Sequence, residues 1–239
     1  MKRTIILSLV ILFIFSCQKE IDPNNMQVTG NIKGLKKGVL YLQKIKDTTL
    51  VTVDSLIIDG DSHFNFNTTL ESPEVFYLYL NKKDGNDIND RITFFGEPGS
   101  IKINTELDFF DVVARVEGSK THEKLEEYRK MMSKFNERNL DLIQANFEAR
   151  KEKDSLKVDS LSKQADRNLL RGYLFTLNFA LNNKDSYIAP YIAISEAFDA
   201  KVKYLDTIYN SLSPEVADSK YGKQLKDYII KIKSEEKKQ

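Results

Sequence analysis

"VEGSKTHEKLEEY", Val116 to Tyr128, is where this chain changes period. Ahead of it, apolar and polar residues alternate in short runs. After it, apolar residues recur every three, four or seven positions. A period of two marks a half-buried strand, and a period near 3.6 marks a helix with one buried stripe. Gly118-Ser119 stands at the switch. Ser119 or Thr121 can cap the helix start, and Glu123, Glu126 and Glu127 fall in the first turns, where the helix dipole favours anions. The predicted class is therefore α+β, strands first and helices second.

The β half is read from Gln27 to Glu117. "VLYLQKI" (Val39–Ile45), "FYLYLN" (Phe76–Asn81), "RITFF" (Arg91–Phe95) and "SIKINTE" (Ser100–Glu106) are rich in β-branched and aromatic residues. Turn signals separate them: Gly34 to Gly38, Asp59-Gly60-Asp61, Ser72-Pro73, Asp84 to Asp90 and Glu97-Pro98-Gly99. The pattern predicts about eight strands, near 27–33, 38–45, 49–58, 63–69, 74–81, 91–96, 100–105 and 110–117. Short strands joined by tight turns, with no helix-length insert, predict antiparallel pairing in a β-sandwich or partial barrel over 27–118, the sandwich being preferred.

The helical half is assigned to 119–239 as a helical bundle. Leu125, Tyr128, Met132, Phe135, Leu142 and Phe147 form one stripe; Leu156, Leu161, Leu169, Tyr173, Leu177 and Ala180 form a second. Between them "EARKEKDS" (Glu148–Ser155) is polar after Ala149 but holds neither Gly nor Pro. A turn near Lys153–Ser155 predicts an antiparallel hairpin, with one long bent helix as the alternative. Shorter helices are expected near 186–197, 201–211 and 219–234, and Ser213-Pro214-Glu215 reads as a cap with proline at the first helical position. The tail "KSEEKKQ" is expected to fray.

The N-terminus reads as a secretory signal over 1–16. Lys2 and Arg3 precede an apolar run from Ile5 to Phe15, broken only by Ser8. An eleven-residue helix reaches about 16 Å, against the roughly 30 Å of a bilayer's hydrocarbon, so the run is too short to span. "FIFSC" resembles the lipobox of bacterial lipoproteins, and that resemblance makes Cys17 the acylated first residue of the mature chain. Residues 17–26 are then a polar tether. Gln18 stands where Asp retains many lipoproteins in the inner membrane, so the expected location is the outer membrane. Lys19-Glu20 also resembles a surface-export tag, which leaves the periplasmic and surface faces both open.

Composition narrows the chemistry. Cys17 is the only cysteine. Its acylation leaves no thiol for C-x-x-C redox work, nucleophilic catalysis or zinc. Loss of Lys2 and Arg3 takes 36 basic residues to 34 against 35 acidic ones, without the basic excess that nucleic-acid binding draws on. His63, in a strand, and His122, at a helix start, are too far apart in sequence for a convincing metal spacing, and His122 is expected at the surface. No P-loop, G-x-G-x-x-G, G-x-S-x-G or H-E-x-x-H occurs. "DGNDIND" offers calcium-type oxygens at Asp84, Asn86, Asp87, Asn89 and Asp90, but lacks the EF-hand spacing and reads first as a hairpin loop. Phe76, Tyr77, Tyr79, Phe94, Phe95, Phe109 and Phe110 are expected in the sandwich core, with a ligand groove as the alternative. No cofactor and no catalytic residue is expected.

Five stretches carry a family resemblance: "VTGNIKGLKKGVLYLQ" (Val28–Gln43), "VDSLIIDGDSHFNF" (Val53–Phe66), "ESPEVFYLYL" (Glu71–Leu80), "ITFFGEPGSIKIN" (Ile92–Asn104) and Val116–Tyr128. They resemble a domain family of unknown function found in lipoproteins of Gram-negative bacteria, where it precedes a thioredoxin-like domain in thiol:disulfide interchange proteins. "DSYIAPYI" (Asp185–Ile192) and "LSPEVADSKYGKQLKDYI" (Leu212–Ile229) look like that family's helical spacer. The resemblance covers about 28–233 and brings no catalytic residue. The sequence reaches Gln239 without a C-x-x-C, so the expectation is a protein without redox chemistry of its own. The function expected is a membrane-anchored, non-enzymatic binding or scaffolding module with an envelope protein as partner. The alternatives are a subunit serving a separate thioredoxin-like reductase, and an envelope glycan hydrolase using a carboxylate pair.

Overall fold

The computed structural model describes residues 22–82 and 90–236. Eight strands come first: β1 (Asn25–Lys33), β2 (Lys37–Lys46), β3 (Thr49–Asp59), β4 (His63–Thr69), β5 (Glu74–Asn81), β6 (Arg91–Gly96), β7 (Gly99–Glu106) and β8 (Arg115–Glu117). They form two four-stranded sheets, ordered β4-β1-β7-β8 and β3-β2-β5-β6. Facing sides of the two sheets close over one core that includes Met26, Val28, Leu40, Leu42, Phe76, Leu78, Leu80 and Ile101. The predicted sandwich is therefore present, with one correction to its pairing. β1 runs parallel to β7, from Met26 opposite Gly99 to Lys33 opposite Glu106. Strands β2 to β6 and their connections lie between these two strands in sequence, which supplies the crossover that parallel neighbours need.

Some aromatic positions depart from the expected core. Phe76, Phe94 and Phe110 are buried in the sandwich, whereas Phe109 is 59% exposed. Residues 107–114 form turns, so the eighth strand is only Arg115–Glu117. Phe95 is buried on the opposite face of its sheet, beside Val75 and Tyr77. That face is covered by helix, and this explains why β5 reads as a nearly unbroken apolar run instead of an alternating one.

Six helices follow: α1 (Lys120–Lys151), α2 (Ser155–Asn182), α3 (Ile188–Ser195), α4 (Val202–Ser211), α5 (Pro214–Ala217) and α6 (Lys220–Glu236). The predicted hairpin is present, with its turn at Glu152–Asp154. The Asp154 N–H reaches the Ala149 carbonyl (3.0 Å) and the Lys153 N–H reaches Arg150 (3.1 Å), a Schellman closure with Lys153 at φ +57°. The Asp154 side chain then accepts the Lys157 N–H and starts α2. A left-handed lysine carries a Cβ penalty that glycine lacks. Lys153→Gly is expected to raise stability by about 0.5–1 kcal/mol, read as a higher urea midpoint at unchanged slope. An unchanged or lower midpoint would contradict this.

The C-terminal half of α2 packs with α3, α4 and α6 around Leu177, Ala189, Ala193, Leu205, Ile208 and Leu225. Phe147, Leu156 and Leu169, assigned to buried stripes from the sequence, are instead 57%, 84% and 58% exposed. They lie on the outer part of the hairpin, beyond the reach of the other helices. α6 continues helical through Ser234–Glu236, past the point where fraying is expected.

A second layer of contact fixes the helices to the sandwich. Phe95 meets Tyr191 and Tyr221 edge-on, with ring centroids 5.7 and 5.9 Å apart. The Val75 N–H donates to the Tyr221 hydroxyl (3.1 Å), and burial pushes that phenol's pKa well above its ordinary value. Beside it Glu74, 3% exposed, lies between Lys44 of β2 (2.7 Å) and Lys220 of α6. Lys220 also reaches the Ile45 carbonyl (2.9 Å) through its ammonium and Ser72 Oγ (3.0 Å) through its backbone N–H.

Candidate ligand cleft

The sheet edge beyond β8 and the first turns of α1 leave a cleft of about 640 Å³ between them. Its geometry follows from the Val116–Tyr128 stretch. Gly118 has φ +93°, and a Cβ there would lie 2.2 Å from the Ser100 carbonyl oxygen, so only glycine lets the chain leave the sheet at this point. Ser119 accepts the His122 N–H (3.0 Å) and caps α1. Glu97, from the β6–β7 turn, receives the Lys120 N–H (2.5 Å) and the Thr121 hydroxyl (2.6 Å), which puts a second anion at the helix start.

These contacts pull His122 inward. The expectation of a surface histidine is corrected: His122 is 4% exposed. The Phe95 N–H points at its Nδ1 (3.3 Å), an acceptor only in the tautomer that carries its proton on Nε2. Nε2 faces Glu126 Oε1 at 3.7 Å. Burial lowers the ring's pKa below the ordinary 6.5; Arg129 adds to this, while Glu126 and Glu97 oppose it. The unfolded chain then binds the proton more readily, so stability is full above pH 6.5 and falls as pH drops below it. His122→Asn, which keeps an acceptor for Phe95, is expected to lose that share of the acid sensitivity. Urea midpoints at pH 7.5 and 5.5 measure it, and equal acid losses in both proteins would refute it.

The rest of the lining is charged. Arg129 donates to Glu126 Oε1 (3.0 Å), and the same oxygen lies 3.7 Å from His122 Nε2. Arg91 lies over the rings of Tyr77 and Tyr79, 5.6 and 5.3 Å from their centroids. Among the described residues neither Arg91 nor Arg115 has a carboxylate within ion-pair distance. Asp111 Oδ1, in the turn before β8, is buried and has no hydrogen-bond partner there. Among the described residues the cleft thus holds two guanidinium groups without a carboxylate partner, one carboxylate oxygen without a hydrogen-bond partner, and an imidazole whose pKa burial lowers. It can bind charge, and its aromatic-backed Arg91 can present a planar fork to a carboxylate or phosphate.

The candidates read from the sequence fall elsewhere or outside. His63 is exposed at the start of β4, 2.7 Å from Asp61, whose pKa its hydrogen bonds lower. Asp90 is 1% exposed and pairs with Lys82 (2.5 Å), so its carboxylate already has a cation. Asp84, Asn86, Asp87, Asn89 and Cys17 lie outside the described residues, as do the signal and the first half of the tether, 17–21. Among the described residues no group of three metal-type ligands occurs, and no helix is long and apolar enough to cross a membrane.

The run from Met26 to Leu125, sandwich and first helical turns together, matches the model of the Domain of unknown function (DUF4369) over residues 26–125. Residues 26–125 are therefore similar to DUF4369. No thioredoxin-like domain is found in the chain. No curated protein and no solved structure matches it. The DUF4369 boundary is informative because it runs past β8 to Leu125. It therefore takes in Gly118, Ser119 and His122, and both walls of the cleft as far as that point belong to the domain. Arg91, Arg115 and Asp111 were not singled out from the sequence. An arginine at a strand start and an aspartate in a turn give no signal until the β7–β8 pairing and α1 bring them to one opening.

Proposed function

We propose that this protein is a non-catalytic binding module of the cell envelope, held to the outer membrane through an acylated Cys17, and that its cleft takes an anionic group of its ligand or partner. The observation that carries the reading is the pair of arginines, Arg91 and Arg115, that have no carboxylate partner among the described residues, in one cleft with the Asp111 oxygen that has no hydrogen-bond partner there. A ligand bringing a carboxylate or phosphate and one hydrogen-bond donor would satisfy all three groups. The cleft volume lies in the range of small-molecule sites.

Polarity of the fold supports a tethered role. The chain enters at Asp22, beside Asn25 and Thr69. β1 then carries it nine residues, roughly 30 Å, to the other end of the sandwich. The Lys33 carbonyl there accepts the Leu107 N–H, so the 107–114 turns with Asp111 lie at the end far from the tether. The cleft's arginine end consequently points away from the proposed anchor, towards whatever the module meets.

Two measurements test this. Cys17→Ser is expected to move the protein from the membrane pellet to the soluble fraction; retention in the pellet would overturn the anchor. Titration with succinate and with inorganic phosphate is expected to give saturable amide shifts confined to the cleft lining, lost in Arg91→Ala/Arg115→Ala. Shifts that fail to saturate, or that persist in the double variant, would overturn the site.

A further inference from the structure

The outer hairpin is a pair of helices with little around it. Between Arg129 and Lys151 only Leu142 and Ala149 of α1 are buried, and on α2 no residue before Asn168 is. Its direction is set at the cleft: α1 passes from Glu97 and Phe95, at the tether end of β6, to Arg129 opposite Arg91, at the far end. The residues after Arg129 extend the arm by roughly 33 Å more. It projects away from the end where the chain enters.

Two helices can bury one seam. Here that seam is Leu142, Ala149, Leu161 and Ala165, stitched by Asn146 to Val158 and Ser162 (3.2 Å each) and by Asn168 to the Phe135 carbonyl (2.8 Å). A second apolar row remains outside it. Leu140, Ile143 and Phe147, spaced i, i+3, i+7, are 65%, 56% and 57% exposed, and Leu169 and Leu170 on α2 are 58% and 56% exposed. Ile143 and Phe147 edge a groove of about 420 Å³ between the helices, with Leu161 and Ala165 at its other side. Large apolar side chains exposed together along one arm, with Ile143 and Phe147 at the edge of a groove, mark a contact surface.

We propose that this face pairs with the same face of a second copy, so that two arms form an antiparallel-hairpin four-helix bundle about a two-fold axis along the arm. Charge favours a like partner: Lys134 to Arg167 holds eight basic and seven acidic side chains, with no single-sign field to draw a charged partner or an anionic lipid surface. Area also fits. Five half-exposed large side chains offer roughly 100 Å² each, and flanking stems bring the total towards the about 800 Å² per partner of a standard interface. The symmetry is workable for a tethered protein, because a two-fold axis along the arms puts both chain entries at the same end, facing one membrane. Four-helix packing would give Leu140, Ile143 and Phe147 the neighbours that a lone hairpin cannot.

The test uses the intact protein in its own membranes. Cys17 is the only cysteine, so an added thiol on the arm reports alone once Cys17 is acylated, and the unsubstituted protein is the control for that. Leu140→Cys and, separately, Phe147→Cys are treated with a bis-maleimide of about 10 Å span, beside Ile57→Cys, an exposed position on the sandwich. The expected result is a product of twice the chain mass, at least tenfold more abundant from either arm position than from Ile57→Cys. Adding Ile143→Glu should abolish the Leu140→Cys product while the circular dichroism spectrum stays the same, since Ile143 is exposed. Absence of the product at both arm positions would overturn the proposal. So would a product of any other mass, which would mean a different partner, or a doubled product that survives Ile143→Glu.

Discussion

Gly30→Ala is expected to abolish the cooperative fold. Gly30 lies in β1, paired with Phe64 of β4 on one side and Ile103 of β7 on the other. A Cβ there would sit 1.7 Å from the Ile103 carbonyl oxygen and 2.7 Å from the tip of the Phe64 ring. The ring can turn aside, but the carbonyl is backbone of a neighbouring strand, and moving it breaks the β1–β7 ladder that holds the sheet's centre. The loss is expected to exceed about 4 kcal/mol, beyond the range of ordinary substitutions and comparable to the whole stability of a marginal domain. Gly60→Ala is the comparison: φ is +95°, with nothing within 4 Å of the new Cβ, so only backbone strain of about 1–2 kcal/mol is added. Thermal melts by circular dichroism separate the two. A Gly30→Ala protein that melts cooperatively within a few degrees of the parent would show that β7 can yield, and the argument would fail.

Glu74→Gln is expected to loosen the helices from the sandwich. One carboxylate serves two ammonium groups, Lys44 and Lys220, whose side chains are 26% and 27% exposed. Removing its charge leaves two partly buried cations close together with no anion between them. A fully buried pair broken on one side costs about 3–5 kcal/mol, and partial exposure of the lysines reduces this to about 2–3 kcal/mol. Because Lys220 begins α6, the loss falls on the joint and not on either core. Urea unfolding should therefore show a lower midpoint, with helical signal lost ahead of strand signal in place of one shared transition. Glu74→Gln with an unchanged midpoint would mean that Phe95, Tyr191 and Tyr221 hold the joint without the ion pairs.

Much of the architecture is legible along the chain because it depends on local period. Short β-branched and aromatic runs in β1 to β7, several of them alternating, and 3.6-residue recurrence after Ser119 are properties of consecutive residues, and they place seven strands, the hairpin and the later helices close to where they lie. The cap at Ser119 and the proline opening α5 are local in the same way. Phe95 is the counter-example. Its strand has apolar residues on both faces, and whether a face meets water, the other sheet or a helix is decided by elements more than ninety residues away, such as Tyr191 and Tyr221. His122 misleads for the same reason: position at a helix start says surface, while packing against β6 buries it.

The order of the two halves, the switch at Gly118-Ser119, the turn after Lys151 and the kinship of residues 26–125 are all written in neighbouring residues, and the chain's own pattern was enough to place them. Three features needed the folded molecule. β1 lies beside β7 in parallel; Arg91, Arg115 and Asp111 open onto one cleft; and Leu140, Ile143 and Phe147 stand exposed on the arm. The physical reason is range. Periodicity and capping are settled within a few residues by backbone geometry and hydrogen bonding, whereas register, burial and electrostatic partners depend on which distant surface arrives, and no local pattern encodes that.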